Sequence, residues 1–317
     1  MSVFPIPTPS GILRRRFQGS NTLSGRCLEA PMPDLVENAY AKINLTLDVT
    51  GKRPDGYHTI RSVFQSITLC DRLTLLSGPE GEIRVASDRP RLSCGRDNTV
   101  HRAAEAFFRA AGIQNPGVFL LLEKRIPWQA GLGGGSADAA SALRLLNRRF
   151  SFPLSGAELS EVGLNIGADV PFCLTNGTML AEGIGERLTR LPPLSACHIL
   201  LCKPAAGIGT KEAYRALDRD GTFGDRFTEP MLGALRGGDL TEIAKYAGNV
   251  FEPLALLPEI PQIKTRMLKS GAAAACMTGT GSAVFGLFER IGQAQTCAKD
   301  LSGIYPEVFL CEPYSSC

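Results

Sequence analysis

The segment Pro127–Ala140 reads PWQAGLGGGSADAA and contains four glycines within residues 131–135. Such a run is disfavoured inside a helix or a strand, because glycine loses the most backbone freedom on ordering. The alanine- and leucine-rich residues that follow predict a helix, with Ser136 and Asp138 at its start, where these residue types cap helices. The apolar run Val118–Leu122 predicts a buried strand before the loop. We therefore expect strand, glycine loop and helix in that order.

This order predicts an anion-binding site, and phosphate is the expected anion. The free amides and the dipole of a helix N-terminus favour negative charge, and glycines let an anion approach the backbone. Spacing excludes two common phosphate loops. No lysine follows the glycines before Ser136, as the P-loop requires, and residues 131–135 lack the spacing of the dinucleotide fingerprint. A flexible linker, or a glycine turn that only lets a helix pack closely, is the alternative interpretation.

Length and composition indicate a globular protein. The 317 residues have room for two domains, and 44% of them are hydrophobic and 21% charged. The net charge of +3 is too small to indicate a nucleic-acid partner, and the apolar runs are too short to span a bilayer. The ten cysteines form no Cys-x-x-Cys pair and no secretory segment is evident, which predicts reduced thiols and a cytoplasmic location.

Residues 1–33 form a basic extension in which the first acidic residue is Glu29. Its composition is similar to that of an organelle transit peptide. We favour a disordered extension, or a start codon assigned too far upstream, because nothing in it could form a core. The fold is expected to begin near Leu35.

The first part of the chain is predicted to hold strands over Val36–Val49 and Ser62–Leu76. A period of two places Lys42 and Asn44 on one face of the first strand, where polar residues are most often solvated. Helices are expected over residues 99–111 and 155–164, the first capped by Asn98 and closed by Gly112. His101 on the first helix is predicted to be exposed and without a role.

The second part begins after Pro192 and Pro193, which mark a predicted domain boundary. Its pattern predicts an antiparallel sheet covered by helices on one face. The strands are expected at 199–202, 273–277, 283–288 and 307–311, and the helices from Thr210 and over 240–246, 261–268 and 291–301.

Three features occur in the same order as in the GHMP kinases, small-molecule kinases related to homoserine and mevalonate kinase, and resemble theirs: the Lys42/Asn44 strand, the Gly131–Ser136 loop and the Thr278–Ser282 loop. Four segments resemble one branch of that family more closely: AKINL at Ala41–Leu45, DGYH at Asp55–His58, GADVP at Gly167–Pro171 and MTGTG at Met277–Gly281. The resemblance covers about residues 36–311. Trp128 and Ala130 depart mildly from the approach to the loop that is often seen in the family, and residues 1–33 have no counterpart.

The resemblance implies an α+β, two-domain GHMP kinase fold. Residues 34–192 would form an ATP-binding domain like the second domain of ribosomal protein S5, and residues 193–317 a ferredoxin-like domain. ATP and substrate would lie in the cleft between them. The family branch that matches most closely transfers the γ-phosphoryl group of ATP, with Mg²⁺, to the C2 hydroxyl of a cytidine diphosphate-linked methylerythritol in the non-mevalonate isoprenoid pathway. A monomer or weak homodimer is expected, with neither a nucleic-acid nor a membrane partner.

The resemblance also implies roles for residues. Asp169 would orient the attacking hydroxyl and accept its proton, and Lys42 would keep Asp169 ionised and neutralise charge on the moving phosphoryl group. Taken alone, Asp169 would be interpreted as a turn or helix-cap residue. The expected ATP-binding residues are Asn98, Lys124, Pro127, Ala130, Gly131, Leu132, Gly133, Gly134, Gly135 and Ser136. The expected substrate-binding residues are Asn44, Tyr57, His58, Thr210, Tyr214, Gly279, Thr280 and Gly281. No protein ligand of a metal is assigned.

Two alternative functions remain at this point. A GHMP kinase acting on homoserine or mevalonate would share the fold, but it would leave the Gly-Tyr-His segment at residues 56–58 without an explanation. A nucleotide-binding regulatory protein could have kept the fold and lost turnover. Such a protein should have lost Lys42 or Asp169, and both are present.

Overall fold

A computed structural model describes residues 34–254 and 257–315, so the expected disorder of residues 1–33 lies outside the described residues. The strands are β1 Leu35–Lys52, β2 His58–Ser77, β3 Ile83–Ser87, β4 Val118–Glu123, β5 Thr178–Gly183, β6 Arg187–Arg190, β7 His198–Lys203, β8 Gly248–Asn249, β9 Ala274–Met277, β10 Val284–Phe288 and β11 Glu307–Cys311. The helices are α1 Thr99–Ala111, α2 Gly134–Arg149, α3 Gly156–Leu164, α4 Val170–Thr175, α5 Thr210–Asp220, α6 Thr228–Gly237, α7 Leu240–Tyr246, α8 Glu259–Lys269 and α9 Ile291–Ser302, with a 3₁₀ turn at Glu252–Leu254.

The first sheet is built on the long antiparallel pair β1 and β2. The order β3-β4-β2-β1-β8 runs across it, and β5 pairs with a different stretch of β2 and carries β6. The apolar residues of β1 alternate from Ala39 to Val49, and both faces of the strand are buried over Ala41–Val49. Helices α1 and α2 pack on each other, and α2 also contacts β1 and β2. The predicted strand, glycine loop and helix are present.

The second sheet has the order β11-β7-β10-β9, and every neighbouring pair is antiparallel. Helices α8 and α9 pack against its strands, as the sequence pattern predicts. Two segments from the second half of the chain nevertheless belong with the first sheet. The short strand β8 pairs in parallel with β1, and Pro313 forms a bridge with Ile67 on β2. The domain division at residue 192 stays a prediction.

The capping prediction for α1 is confirmed. The Asn98 side chain accepts a hydrogen bond from the Val100 amide, and Gly112 ends α1 in the left-handed region. Ser155 and Glu158 form a capping box at α3. The prediction that His101 is exposed is wrong. It is buried because the buried face of α1 is wide, extending from Val100 to Phe108 and including position 101.

Candidate active site

The centre of the site is an ion pair between two residues from different elements. The Lys42 ammonium on β1 lies 3.5 Å from the Asp169 carboxylate, which directly precedes α4 (Nζ to Oδ2). Lys42 is buried, donates a 2.7 Å hydrogen bond to Asn44 Oδ1 and lies 4.5 Å above the centre of the Phe64 ring. The Asp169 side chain is 30% exposed. The lysine is therefore held by the protein, whereas the carboxylate can reach a ligand.

The strand β1 is irregular around these residues. Its register with β2 shifts between Tyr40 and Lys42 and again between Asn44 and Thr46. Irregularities of this kind twist a strand locally and redirect its side chains, and they are common beside active sites. The sequence pattern correctly places Lys42 and Asn44 on one face, but both are buried rather than solvated.

The glycine loop passes directly beside the ion pair. Gly133 lies so close that a Cβ there would be 3.1 Å from Lys42 Cγ and 3.8 Å from Asp169 Oδ2. The Lys42 amide also donates to the Leu132 carbonyl, which ties β1 to the loop. Any anion held by the loop amides would therefore meet the lysine and the aspartate.

Helix α2 begins immediately after this loop, and its cap differs from the prediction. The N-cap residue is Gly133, in the left-handed region at φ 68°, and no side chain caps the helix. Ser136 lies inside the first turn, and Asp138 is buried and paired with Lys124. The expectation that Ser136 and Asp138 cap the helix is therefore wrong. An uncapped first turn leaves its amides for a ligand, which strengthens the prediction of a phosphate site.

A second loop, Thr278–Ser282, packs against the glycine loop backbone to backbone. A Cβ on Gly131 would lie 2.1 Å from the Thr278 carbonyl oxygen, and one on Gly279 would lie 2.9 Å from the Gly131 Cα. Glycine is required at both positions because no side chain fits. The Thr280 hydroxyl lies 3.4 Å from that of Thr210 at the start of α5. The two small-residue loops and α5 thus meet at the ion pair.

An aromatic cluster joins the start of β2 to α5. The His58 ring stacks on Tyr214 at 4.6 Å between centroids, and Tyr214 meets Phe251 edge-on at 5.0 Å. Burial, with a smaller effect from the nearby charge of Asp169, raises the pKa of Tyr214 to about 12. Tyr57, by contrast, is 62% exposed. The cluster therefore offers one aromatic stack, and the neighbouring residue Tyr57 offers an exposed ring.

Comparisons with known proteins agree with this arrangement. The family models described as "GHMP kinases N terminal domain" and "GHMP kinases C terminal" match residues 98–177 and 231–306. A protein of Pelotomaculum thermopropionicum named 4-diphosphocytidyl-2-C-methyl-D-erythritol kinase is 45% identical, and the match covers 82% of this chain and 91% of that protein. One of the same name from Enterococcus faecalis is 41% identical over 87% of this chain and 98% of its own.

The chain belongs to the 4-diphosphocytidyl-2-C-methyl-D-erythritol kinase family.

Solved structures support the same assignment within the GHMP kinases. The structure of a 4-(cytidine 5'-diphospho)-2C-methyl-D-erythritol kinase matches with a TM-score of 0.76 and 34% identity, covering 89% of this chain and all of that one. A homoserine kinase from Cytophaga hutchinsonii, at 18% identity and a TM-score of 0.70 over 93% of this chain and 98% of its own, shows the shared fold alone. The chain is thus a small-molecule kinase with the two-domain GHMP kinase fold, and ATP is its co-substrate.

Two residues expected in the ATP site of this kinase have other partners in the structure. The Asn98 side chain caps α1 and donates to the Ser93 carbonyl. The Lys124 ammonium is paired with Asp71 and with Asp138, the latter at 2.7 Å. Lys124 still lies beside the loop, since a Cβ on Gly134 would be 3.5 Å from its Nζ. Contact of either side chain with ATP stays a prediction.

Of the other expected ATP residues, Pro127, Ala130 and Leu132 are buried and Gly135 is exposed. Sequence reasoning missed three buried residues that hold the site together: Asp71, Asn249 and Thr278. Asp71 accepts hydrogen bonds from the Arg125 and Ile126 amides. The available signal for Asp71 was its position as an acidic residue in the middle of the apolar strand β2.

Among the described residues, none of the helices combines the length and the apolar character needed to cross a bilayer. All eight cysteines in the described part of the chain have free thiols. Both findings agree with the composition. They leave the location in the cell as a prediction.

Proposed function

We propose that this kinase transfers the γ-phosphoryl group of ATP to the C2 hydroxyl of 4-diphosphocytidyl-2-C-methyl-D-erythritol in the non-mevalonate isoprenoid pathway. The observation that carries the proposal is the Lys42–Asp169 ion pair directly beside the glycine loop. Relatives of that name, more than 40% identical over most of the chain, supply the substrate.

The glycine loop and α2 bind the ATP phosphates. The loop amides and Ser136 donate hydrogen bonds to phosphate oxygens at the uncapped start of α2. The expected loop residues between Pro127 and Ser136 either face the phosphate position at the start of α2 or support the conformation of the loop. Asn98 and Lys124 border it on the side of α1 and β4.

Magnesium would be bound together with ATP. The described residues contain no group of three or more His, Cys, Asp or Glu side chains able to hold a metal ion. Mg²⁺ usually keeps several waters and binds through one or two carboxylates and substrate phosphates. The Ser136 hydroxyl would fit this donor set, together with the substrate phosphates and water. When bound, the ion neutralises charge on the phosphate oxygens.

In the reaction, Asp169 accepts a hydrogen bond from the C2 hydroxyl and takes its proton as the new oxygen–phosphorus bond forms. The bond from the γ-phosphorus to the bridging oxygen breaks, and ADP leaves. Lys42 does not act as the base, because its buried ammonium group is protonated, donates to Asn44 and faces Asp169. It stabilises the carboxylate and the charge on the moving phosphoryl group. Most of the rate enhancement comes from alignment and electrostatics, because the transition state is loose.

The cytosine base is bound by the aromatic cluster. The free ring of Tyr57 and the stack of His58 on Tyr214 offer two flat faces for a base. Stacking of a base on an aromatic side chain is worth about 1–3 kcal/mol. Asn44 and the Thr210–Thr280 pair, with Gly279 and Gly281, then contact the rest of the substrate.

We further propose that the kinase acts in the cytoplasm as a monomer or weak homodimer, without a nucleic-acid or membrane partner. The small net charge and the free thiols favour this setting. Sedimentation at several protein concentrations would test the oligomeric state.

The decisive experiment follows ADP release with the cytidyl substrate, with homoserine and with mevalonate in parallel. The proposal predicts turnover only with the cytidyl substrate, and a phosphorus spectrum of the product should show a new monoester. The Asp169→Asn variant controls for contaminating kinases. Turnover with homoserine or mevalonate instead would favour the other GHMP kinases, and no turnover with any of the three would favour a regulatory protein.

A further inference from the structure

We propose that Thr278 is a positioning residue for phosphoryl transfer. Its hydroxyl fixes the strand that carries Lys42 against the glycine loop that binds ATP. Thr278 is completely buried, so it acts through its neighbours and not by touching a ligand. This inference rests on the proposed function and adds a residue to its machinery.

The first neighbour is Asn44. The backbone amide of Asn44 donates to the Thr278 hydroxyl at 2.9 Å, and the Asn44 side-chain oxygen lies 3.3 Å from the same hydroxyl. That side-chain oxygen accepts the 2.7 Å hydrogen bond from the Lys42 ammonium, while the Asn44 side-chain nitrogen donates to Ser62. Thr278 therefore helps to fix the orientation of the Asn44 side-chain amide, and this orientation determines where the Lys42 ammonium is held.

The second neighbour is the glycine loop. The Thr278 hydroxyl lies 3.2 Å from the Gly131 carbonyl oxygen. Its single proton can be donated to that oxygen or to Asn44, and its lone pair accepts from the Asn44 amide. One hydroxyl thus links β1 to the loop at the point where the backbone of Gly131 packs on Thr278 itself.

Thr278 is itself held from both sides. The side-chain nitrogen of Asn249 donates to the carbonyls of Met277 and Gly279, at 2.8 and 2.7 Å. Asn249 is buried and lies on β8, which pairs with β1. Because the backbone on each side of Thr278 is fixed to the sheet that carries Lys42, the hydroxyl cannot follow the loop if the loop moves.

The test compares Thr278→Val, Thr278→Ser and Thr178→Val in the full chain. Valine keeps the shape of threonine and removes the hydroxyl, whereas serine keeps the hydroxyl. Thr178 is the matched control, since it is also buried, donates to a side-chain amide oxygen (Gln65, 2.6 Å) and accepts from a backbone amide (Leu194, 3.1 Å). None of those contacts involves the ion pair or either glycine-containing loop.

We expect Thr278→Val to lower kcat by about 10- to 100-fold with KM values within about threefold of wild type, because small misplacement of reacting groups costs rate more than binding. Thr278→Ser should recover most of the rate. Thr178→Val should be destabilised by a similar amount, because it also leaves a buried amide unpaired. Its kcat should stay unchanged. Equal kcat values for Thr278→Val and Thr178→Val would overturn the positioning role of Thr278. The proposed kinase function would still stand in that case if the wild type turns over the cytidyl substrate normally.

A second measurement separates positioning from a general loss of packing. In a Lys42→Met background, Thr278→Val should reduce kcat by less than about threefold, because the group that it positions is already gone. Full multiplication of the two single effects would contradict a role through Lys42. Absence of wild-type turnover with the cytidyl substrate would instead be a failure of the proposed function.

Discussion

The ammonium of Lys42 and the carboxylate of Asp169 lie 3.5 Å apart, although one residue is on the first strand and the other is at the start of α4. The two side chains differ in their surroundings. Lys42 is buried over the Phe64 ring, and Asp169 is partly exposed beside Gly133 and Gly185. The pair is therefore asymmetric, with a fixed cation and an accessible base.

The first prediction concerns Asp169→Asn. Asparagine keeps the shape and most of the hydrogen bonding but cannot accept a proton, so kcat should fall by roughly 10²–10⁴-fold while ATP affinity changes little. Steady-state kinetics and nucleotide titration measure the two quantities. A much smaller fall would mean that the alcohol loses its proton late and that Asp169 only positions it. Full activity would remove Asp169 from the mechanism.

The second prediction concerns the pair as a unit. Lys42→Met should also slow turnover, because it removes the charge that faces the carboxylate and the moving phosphoryl group. The double variant with Asp169→Asn should be far less impaired than the product of the two single effects, since residues that act together are not additive. Independent multiplication would show that the ion pair has no joint role.

The third prediction tests the contact between the two loops. Gly131→Ala should abolish turnover and lower the melting temperature, because a Cβ there would lie 2.1 Å from the Thr278 carbonyl oxygen. Gly221→Ala is the matched control. Its φ of 73° is close to the 75° of Gly131, and nothing lies within 4 Å of its Cβ position. If the two variants lose the same stability and activity, backbone strain alone explains Gly131.

The fourth prediction concerns the cytosine site. Tyr57→Ala should weaken binding of the cytidyl substrate by about 10- to 100-fold, which corresponds to 1–3 kcal/mol of stacking, and should spare ATP. Because Tyr57 is 62% exposed, the variant should fold normally. Isothermal titration with each ligand checks this. Equal losses for both ligands would place the base elsewhere.

The fifth prediction concerns Asp138 and pH. Burial raises the pKa of Asp138 to about 8, with a further contribution from Asp71, and the ammonium of Lys124 opposes the shift only in part. The unfolded chain has a value near 3.9. The folded state therefore holds a proton that the unfolded state has lost, and its stabilising effect is complete below about pH 4 and disappears as the pH rises through about 8.

Asp138→Asn removes this titration and keeps a neutral side chain of the same shape. Its free energy of unfolding, measured with urea from pH 5.5 to 8.5, should decline less steeply with pH than that of the wild type. The difference in the free energy of unfolding between Asp138→Asn and the wild type should increase up to about pH 8 and then stay constant. Parallel curves for the two proteins would mean that Asp138 has an ordinary pKa.

Local signals in the sequence predicted most of the regular elements. Apolar alternation predicted β1, capping residues predicted α1, and the bounds of α7 and β11 agree with the prediction. Five elements were not predicted: β3, β6, β8, α4 and α6. Three of them are short strands, whose pairing depends on a partner that is distant in sequence. The start of α6 depends on Asp48 from β1, which accepts hydrogen bonds from the amides of Phe227 and Thr228.

The sequence by itself determined that a glycine loop precedes a helix and that three features occur in the order of the GHMP kinases, because backbone propensities and motif spacing are local properties. Only the tertiary structure decided what each polar residue does. It placed Lys124 between Asp71 and Asp138, and it showed the buried hydroxyl of Thr278 joining Asn44 to Gly131. The physical reason is that a buried polar group takes the partner that folding brings within about 3 Å, and that partner can lie anywhere along the chain.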